Sequence, residues 1–157
     1  MSEFKTLPGS GILIKPATWH DLRDLYRLER ICFQVDAWPM LDILGVLTLP
    51  QVLRLKAVVE KAMIGFIAAD LRRMQQTAWI ATLAVLPEYQ KAGLGSALLE
   101  TCESQIKLPR IRLSVRQSNH PAIQLYKKHS YQQVDTWSAY YKGGDDALIF
   151  EKTLHST

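Results

Sequence analysis

Gly93 and Gly95 stand one residue apart in Thr82-Leu83-Ala84-Val85-Leu86-Pro87-Glu88-Tyr89-Gln90-Lys91-Ala92-Gly93-Leu94-Gly95-Ser96, between an apolar strand-like run and a helical pattern. The first turn of a helix carries about four backbone N–H groups without intrahelical partners, at the positive end of the helix dipole. Glycines, lacking Cβ, let an anion come down onto those donors. The expected chemistry is capture of a phosphorylated ligand; the same spacing also serves an ordinary strand-to-helix turn that uses glycine for its backbone freedom. Known nucleotide motifs do not decide between these. No Lys-Ser or Lys-Thr pair follows as a P-loop requires, and the third glycine of a dinucleotide fingerprint is missing.

The elements that must position this turn follow from hydrophobic periodicity. Gly11–Lys15 reads as a first strand, stopped by Pro16. Thr18 with Asp21 three residues on has capping-box spacing, and Leu22, Leu25, Tyr26, Leu28 and Cys32 repeat behind it at helical intervals. Met40–Leu47 is apolar and fits either a second helix or part of a substrate-covering loop. Val52–Val59 and Met63–Leu71 predict a hairpin turning at Glu60-Lys61. Ala78–Val85 predicts a further strand, and Leu94, Leu98, Cys102 and Ile106 mark the buried stripe of the helix behind the glycines. Ile111–Val115 is a short strand. Asn119 and Pro121 predict the start of another helix, and Tyr131–Trp137 and Ala147–Leu154 close the chain as strands around Gly143-Gly144-Asp145.

Composition bounds the rest. A chain of 157 residues, 48% hydrophobic and 22% charged, predicts one soluble globular α/β domain over residues 1–157. No apolar run reaches a membrane span, and Met1-Ser2-Glu3-Phe4-Lys5 lacks the apolar core of a signal peptide, so a cytoplasmic location is expected. Cys32 and Cys102 have no second ligand at metal spacing and read as free thiols, and His20, His120, His129 and His155 form no ligand set, so no metal is expected. The net charge of +4 suits an anionic ligand. Lys107, Arg110, Arg112 and Arg116 are its densest group, three of them on one face of a strand, which fits a solvated sheet edge or a phosphate-binding surface. Without aromatic-basic recognition motifs, nucleic acid is not an expected partner.

A second signature follows the glycine turn: Ser118-Asn119-His120-Pro121-Ala122-Ile123-Gln124-Leu125-Tyr126-Lys127-Lys128-His129-Ser130-Tyr131. Taken with Gln90-x-x-Gly93-x-Gly95, it resembles the GNAT superfamily of acyl-CoA-dependent N-acetyltransferases. Their hallmarks are a Gln/Arg-x-x-Gly-x-Gly/Ala loop and a later Asn…Ala…Leu-Tyr helix. Within that superfamily the chain is most similar to the ribosomal-protein N-terminal alanine acetyltransferases and related protein N-terminal acetyltransferases. The residues that carry this are Leu28-Glu29 through Cys32-Phe33, Trp38-Pro39, Leu113-Ser114-Val115-Arg116-Gln117-Ser118-Asn119 and Tyr140-Tyr141. The family's Leu-Gly-Phe is His129-Ser130-Tyr131 here, a departure that loses a glycine.

The resemblance implies a GNAT fold: a mixed, largely antiparallel sheet of six to seven strands, splayed at the acyl-CoA cleft and flanked by about four helices. Acetyl-CoA is then the cosubstrate. Its pantetheine arm lies against the main chain of Leu83, Ala84 and Val85 like an added strand, and its pyrophosphate sits on the N–H groups of Gln90, Lys91, Ala92, Gly93, Leu94, Gly95 and Ser96. Asn119 bonds the pantetheine, Lys128 stands near a phosphate, and Tyr126 aids the departing thiolate. For Asn119 the plainer reading is a helix cap, and for Tyr126 a packing tyrosine. Glu29, Tyr140 and Tyr141 are candidates to meet the acceptor. Ser114 occupies the place where the N-terminal alanine acetyltransferases carry the glutamate that takes the amine's proton through water, and serine cannot do this. Glu29, Glu88 and His120 are the candidate substitutes.

A positioned general base contributes typically 10²–10⁴-fold. An α-amine of pKa about 7.8 is roughly one third neutral at pH 7.5, whereas a lysine amine of pKa about 10.4 is only about 0.1% neutral. Loss of the base therefore harms an α-amine acceptor least, and direct transfer to a protein N-terminus in a ternary complex is the leading expectation. Small amines are a second acceptor class, and a non-catalytic acyl-CoA-binding regulatory module is the alternative that Ser114 leaves open. A generic phosphate- or nucleotide-binding domain comes last.

Overall fold

Thr18 and Asp21 close the capping box that their spacing predicts. Thr18 Oγ1 accepts from the His20 N–H at 3.3 Å, and Asp21 Oδ2 accepts from the Thr18 N–H at 2.8 Å, so side chains satisfy donors that the helix start leaves open. A 3₁₀ turn, Trp19–Asp21, leads into α1, Leu22–Phe33. The computed structural model describes residues 5–154, the Val35 side chain excepted; Met1-Ser2-Glu3-Phe4 and His155 lie outside the described residues.

The remaining elements follow the sequence reading closely. The strands are β1 Lys5–Thr6, β2 Leu13–Pro16, β3 Val52–Val59, β4 Ala62–Arg72, β5 Thr77–Val85, β6 Arg110–Arg116, β7 Gln132–Trp137 and β8 Ala147–Thr153. Met40–Leu47 resolves into a helix, α2 Met40–Thr48, and α3 Leu94–Gln105 and α4 His120–Lys128 are, with α1, the other α-helices among the described residues. The chain divides into two compact units, Met1–Asp70 with Ala81–Gln105 and Leu71–Ile80 with Ile106–Thr157. β5 carries residues of both, and the hydrogen-bonded order is β1-β2-β3-β4-β5-β6-β8-β7. The sheet is mixed and mostly antiparallel, as expected, and has eight strands once the two-residue β1 is included.

In the first unit, β3 and β4 turn at Glu60 and Lys61, both with positive φ (+48° and +72°), the twist that two-residue hairpins favour. The register then passes from Ala57↔Gly65 to Val58↔Met63, which leaves Ile64 as a bulge. The Ile64 carbonyl accepts from the Leu86 N–H at 2.9 Å, which ties the end of β5 to the bulge. A Cβ at Gly65 would stand 2.9 Å from Leu98 Cδ1 and 3.3 Å from Leu94 Cδ2, so the glycine lets the first turns of α3 lie against β4. The core here gathers Leu25 and Leu28 of α1, Ile43 and Leu47 of α2, and Phe66 and Ala84 of the strands. Arg54 Nη1 donates to the carbonyls of Val46, Leu49 and Val52, closing the C-terminal end of α2.

In the second unit, the parallel β5–β6 ladder runs from Thr77↔Arg110 to Ile80↔Leu113, and β6 continues to Arg116 paired with β8. Ile111, Leu113 and Val115 point into the core while Arg110, Arg112, Ser114 and Arg116 share the other face. α4 ends in a Schellman arrangement, the Tyr131 N–H bonding the Tyr126 carbonyl and the Ser130 N–H the Lys127 carbonyl. Ser130 sits at φ +71°, a left-handed conformation that glycine adopts at lower cost. An L side chain in that region costs roughly 1–2 kcal/mol, so Ser130→Gly should raise stability by about 0.5–1 kcal/mol after glycine's greater chain entropy is set against it. Urea denaturation of the two proteins measures this, and an unchanged midpoint would contradict it.

Candidate active site

The first unit builds a buried carboxylate against the strand that ends in the glycine turn. Glu29, on the inward face of α1, is 1% exposed, and the Thr82 hydroxyl donates to its Oε1 at 2.7 Å. Its Oε2 is buried and has no hydrogen-bond partner among the described residues. Burial raises the Glu29 carboxyl from 4.5 to about 7, with the Thr82 hydrogen bond opposing. One turn further along α1, Cys32 Sγ donates to the Val85 carbonyl at 3.3 Å. Burial, then the Glu29 charge, pushes the Cys32 thiol up to about 11, so it stays a neutral thiol at working pH.

The glycine turn follows directly. Residues Pro87–Ala92 form a 3₁₀ turn, Gly93 takes φ +81°, and α3 opens at Leu94. Nothing lies within 4 Å of where a Cβ would stand on Gly93, and Gln90 to Gly93 are exposed. That geometry fits a phosphate resting on the backbone, because it is open, carries no side chain at Gly93 and faces the start of a 12-residue helix. Gln90 contributes in another way as well: its Nε2 donates to the Val85 carbonyl at 3.1 Å, bracing the loop on the strand. The side chains of Ala84, Val85 and Leu94 are buried in the core, so only their main chain can meet a ligand.

The second unit supplies a phenol, an amide and a serine. Asn119 caps α4, its Oδ1 accepting from the Ala122 N–H at 3.3 Å, so the cap reading holds for that oxygen. Tyr126, one further turn along α4, is 7% exposed and packs edge-on against Tyr131 and beside Phe150. Burial raises its phenol above the ordinary tyrosine range, with the neighbouring Tyr141 adding to the shift, so the group stays a neutral donor. Ser114 accepts a hydrogen bond from the Tyr141 hydroxyl at 3.2 Å. Tyr141 is itself held by the Arg116 guanidinium, 4.7 Å from its ring centroid, and by Tyr140 in an edge contact at 5.0 Å. Tyr140 is 56% exposed and continues through Trp137 to Trp79 as one aromatic run.

The basic face of β6 serves structure. Arg116 pairs with Asp145, which also accepts from Ser118, and these bonds hold the Asp145 carboxyl below its ordinary range. Arg112 pairs with Glu151, and Arg110 bonds the Gln75 carbonyl. Of the phosphate-binding or structural roles open for this cluster, these contacts favour the second. Lys128 is exposed in the last turn of α4. Glu88 and His120 are both exposed. A surface groove of about 400 Å³, lined by Ser130, Gln132, Val134, Glu151, Lys152 and Thr153, contains none of the site residues. Among the described residues no helix is long and apolar enough to cross a membrane, and no three His, Cys, Asp or Glu side chains cluster as metal ligands.

The family model described as "Acetyltransferase (GNAT) family" matches residues 19–131, nearly three quarters of the chain. The chain belongs to the GNAT acetyltransferase family. This GNAT protein is 30% identical over 112 residues to an N-alpha-acetyltransferase of Saccharolobus solfataricus, a match covering 62% of this chain and 67% of that one. Against two further archaeal N-alpha-acetyltransferases the chain spans about half of the relative's length, 47% in each. Among solved structures, the ribosomal-protein-S18-alanine N-acetyltransferase of Escherichia coli shares the fold with a TM-score of 0.83 and 25% identity, covering 93% of this chain and 96% of that one. NAA60 of Arabidopsis thaliana, solved in complex with acetyl-CoA, has a TM-score of 0.79 at 23% identity, covering 92% and 99%.

Two residues of this GNAT site escape a reading by motif. Thr82 lies inside an apolar run, and its being the one hydroxyl in Ile80-Ala81-Thr82-Leu83-Ala84-Val85 is the signal that could have marked it. Cys32 reads from sequence as a free thiol; its bond to the Val85 carbonyl depends on how α1 crosses β5 and leaves no trace in spacing.

Proposed function

We propose that this chain transfers the acetyl group of acetyl-CoA to protein N-terminal α-amines, by direct attack in a ternary complex. The observation that carries the choice of acceptor is the Ser114–Tyr141 hydrogen bond. It fills the place of the usual glutamate with two neutral hydroxyls, which suits an amine already partly neutral at working pH, an α-amine rather than a lysine. The similarity to N-alpha-acetyltransferases supports the same acceptor class. A cytoplasmic location belongs to this reading.

Acetyl-CoA brings the activated thioester. On this reading the N–H groups of Gln90 to Ser96 hold its pyrophosphate, with Lys128 near a phosphate, and the main chain of Leu83 to Val85 with Asn119 aligns the pantetheine. Strand N–H groups polarise the acetyl carbonyl, the neutral amine forms the new C–N bond, and Tyr126 protonates the sulfur as the C–S bond breaks. Glu29, Tyr140 and Tyr141 face the acceptor. The neutral Cys32 thiol is a weak nucleophile, which favours direct transfer over an acyl-enzyme.

Mass spectrometry of acetyl transfer tests the proposal, using acetyl-CoA with peptides beginning Ala, Ser or Met, internal-lysine peptides and small amines. Modification confined to peptide α-amines is expected. Acetylation of small amines alone would move the chain to another acceptor class, and acetyl-CoA binding without any product would favour a regulatory module.

A further inference from the structure

We infer that Glu29, acting through a water held at its buried Oε2, takes the proton that the acceptor amine loses as its bond to the acetyl carbon forms. The inference rests on the transfer reaction proposed above and names the base that Ser114 cannot be. The geometry singles this residue out. Of the three carboxylate or imidazole groups that could stand in, Glu88 and His120 are exposed to bulk water, whereas Glu29 is 1% exposed. Its helix face packs on the strand proposed to carry the pantetheine arm: Glu29 accepts from the Thr82 hydroxyl at 2.7 Å, and Cys32, three residues on, bonds the Val85 carbonyl at 3.3 Å.

A carboxylate with one oxygen fixed and the other buried without a partner is an unusual arrangement, because an orphaned buried acceptor costs stability unless a water or ligand completes it. The groups around it are the neutral Thr82 hydroxyl from β5 and the neutral Cys32 thiol on α1, with the Glu88 carboxylate beyond Cys32. No cation among the described residues offsets its burial, so the carboxyl titrates near neutrality, where a base is most useful.

The proton count closes. The acceptor ammonium loses its first proton to solvent, leaving the neutral amine. As the C–N bond forms, the nitrogen passes its second proton through the water to Glu29, and the thiolate released by C–S cleavage gains one from the Tyr126 phenol, which is reprotonated from solvent. The proton on Glu29 leaves to solvent when the water exchanges.

The test compares kcat against pH at saturating peptide and acetyl-CoA, where the free amine's own titration does not enter. Wild-type kcat should rise with pH and bend near 7. Glu29→Gln should lower kcat about 100-fold or more at pH 7.5 and abolish that bend, with acetyl-CoA affinity unchanged. Thr82→Val removes the hydrogen bond that lowers the Glu29 pKa, so its bend should move to higher pH; this variant decides the matter if Glu29→Gln does not fold. A merely structural Glu29 would leave the bend in place in both. Turnover of Glu29→Gln within threefold of wild type, or a bend unmoved in Thr82→Val, overturns the assignment. Wild-type protein that binds acetyl-CoA and acetylates no amine overturns the transfer reaction itself, and that result is visible before any variant is made.

Discussion

Tyr126→Phe should lower kcat about 100-fold or more while leaving acetyl-CoA affinity and the folded state nearly unchanged. The ring does the packing, against Tyr131 at 5.8 Å and Phe150 at 6.4 Å between centroids, and phenylalanine keeps both contacts. What is lost is the hydroxyl alone. A thiolate leaving without a proton donor raises the barrier to C–S cleavage, and the effect should appear in kcat rather than in cosubstrate binding. Burial raises the Tyr126 phenol above the ordinary range, so the wild-type enzyme should show no loss of activity from tyrosine ionisation up to about pH 10. Steady-state kinetics at saturating substrates measure both effects. Full turnover by Tyr126→Phe would return the residue to a packing role.

The stability of the wild-type protein should fall as pH rises from about 4.5 to about 7, and Glu29→Gln should remove most of that fall. The native Glu29 holds its proton until about pH 7, whereas the unfolded chain releases it near 4.5. Between those values the native state binds more protons, so each pH step upward favours unfolding, and above pH 7 the loss is complete. At 1.36 kcal/mol per pKa unit the swing is on the order of 3 kcal/mol. All other titrating groups are shared, so subtracting the two urea-denaturation profiles isolates Glu29. A flat difference between pH 4 and 8 would show that the carboxyl titrates as an exposed one does. It would also remove the chemical basis for Glu29 as a base.

The local elements were legible because their signals are local. Thr18 and Asp21 form a capping box through backbone bonds three residues apart, and Asn119 with Pro121 starts α4 for the same reason. Alternation in Arg110–Arg116 places Ile111, Leu113 and Val115 inward whatever packs on them. The glycine turn was legible too, since only Gly93 reaches φ +81° there without cost. Met40–Leu47 left helix and loop both open, because its apolar residues fall on more than one face; packing of Ile43, Val46 and Leu47 into the α1 core settles it as α2.

The chemistry of individual side chains was decided elsewhere. From sequence, Glu29 is one of three candidate bases, beside Glu88 and His120. It becomes a buried carboxyl titrating near neutrality only because α1 crosses β5 at Thr82, a contact between residues 53 apart. Tyr141 meets Ser114 only because the Gly143-Gly144 turn folds the chain back beside β6. Sequence thus determined the element order and the glycine turn, which rest on short-range periodicity and turn chemistry, and its two motifs carried the resemblance to the family. Tertiary structure alone decided which side chains lose water and which keep it, because desolvation depends on everything packed around a group rather than on its neighbours along the chain.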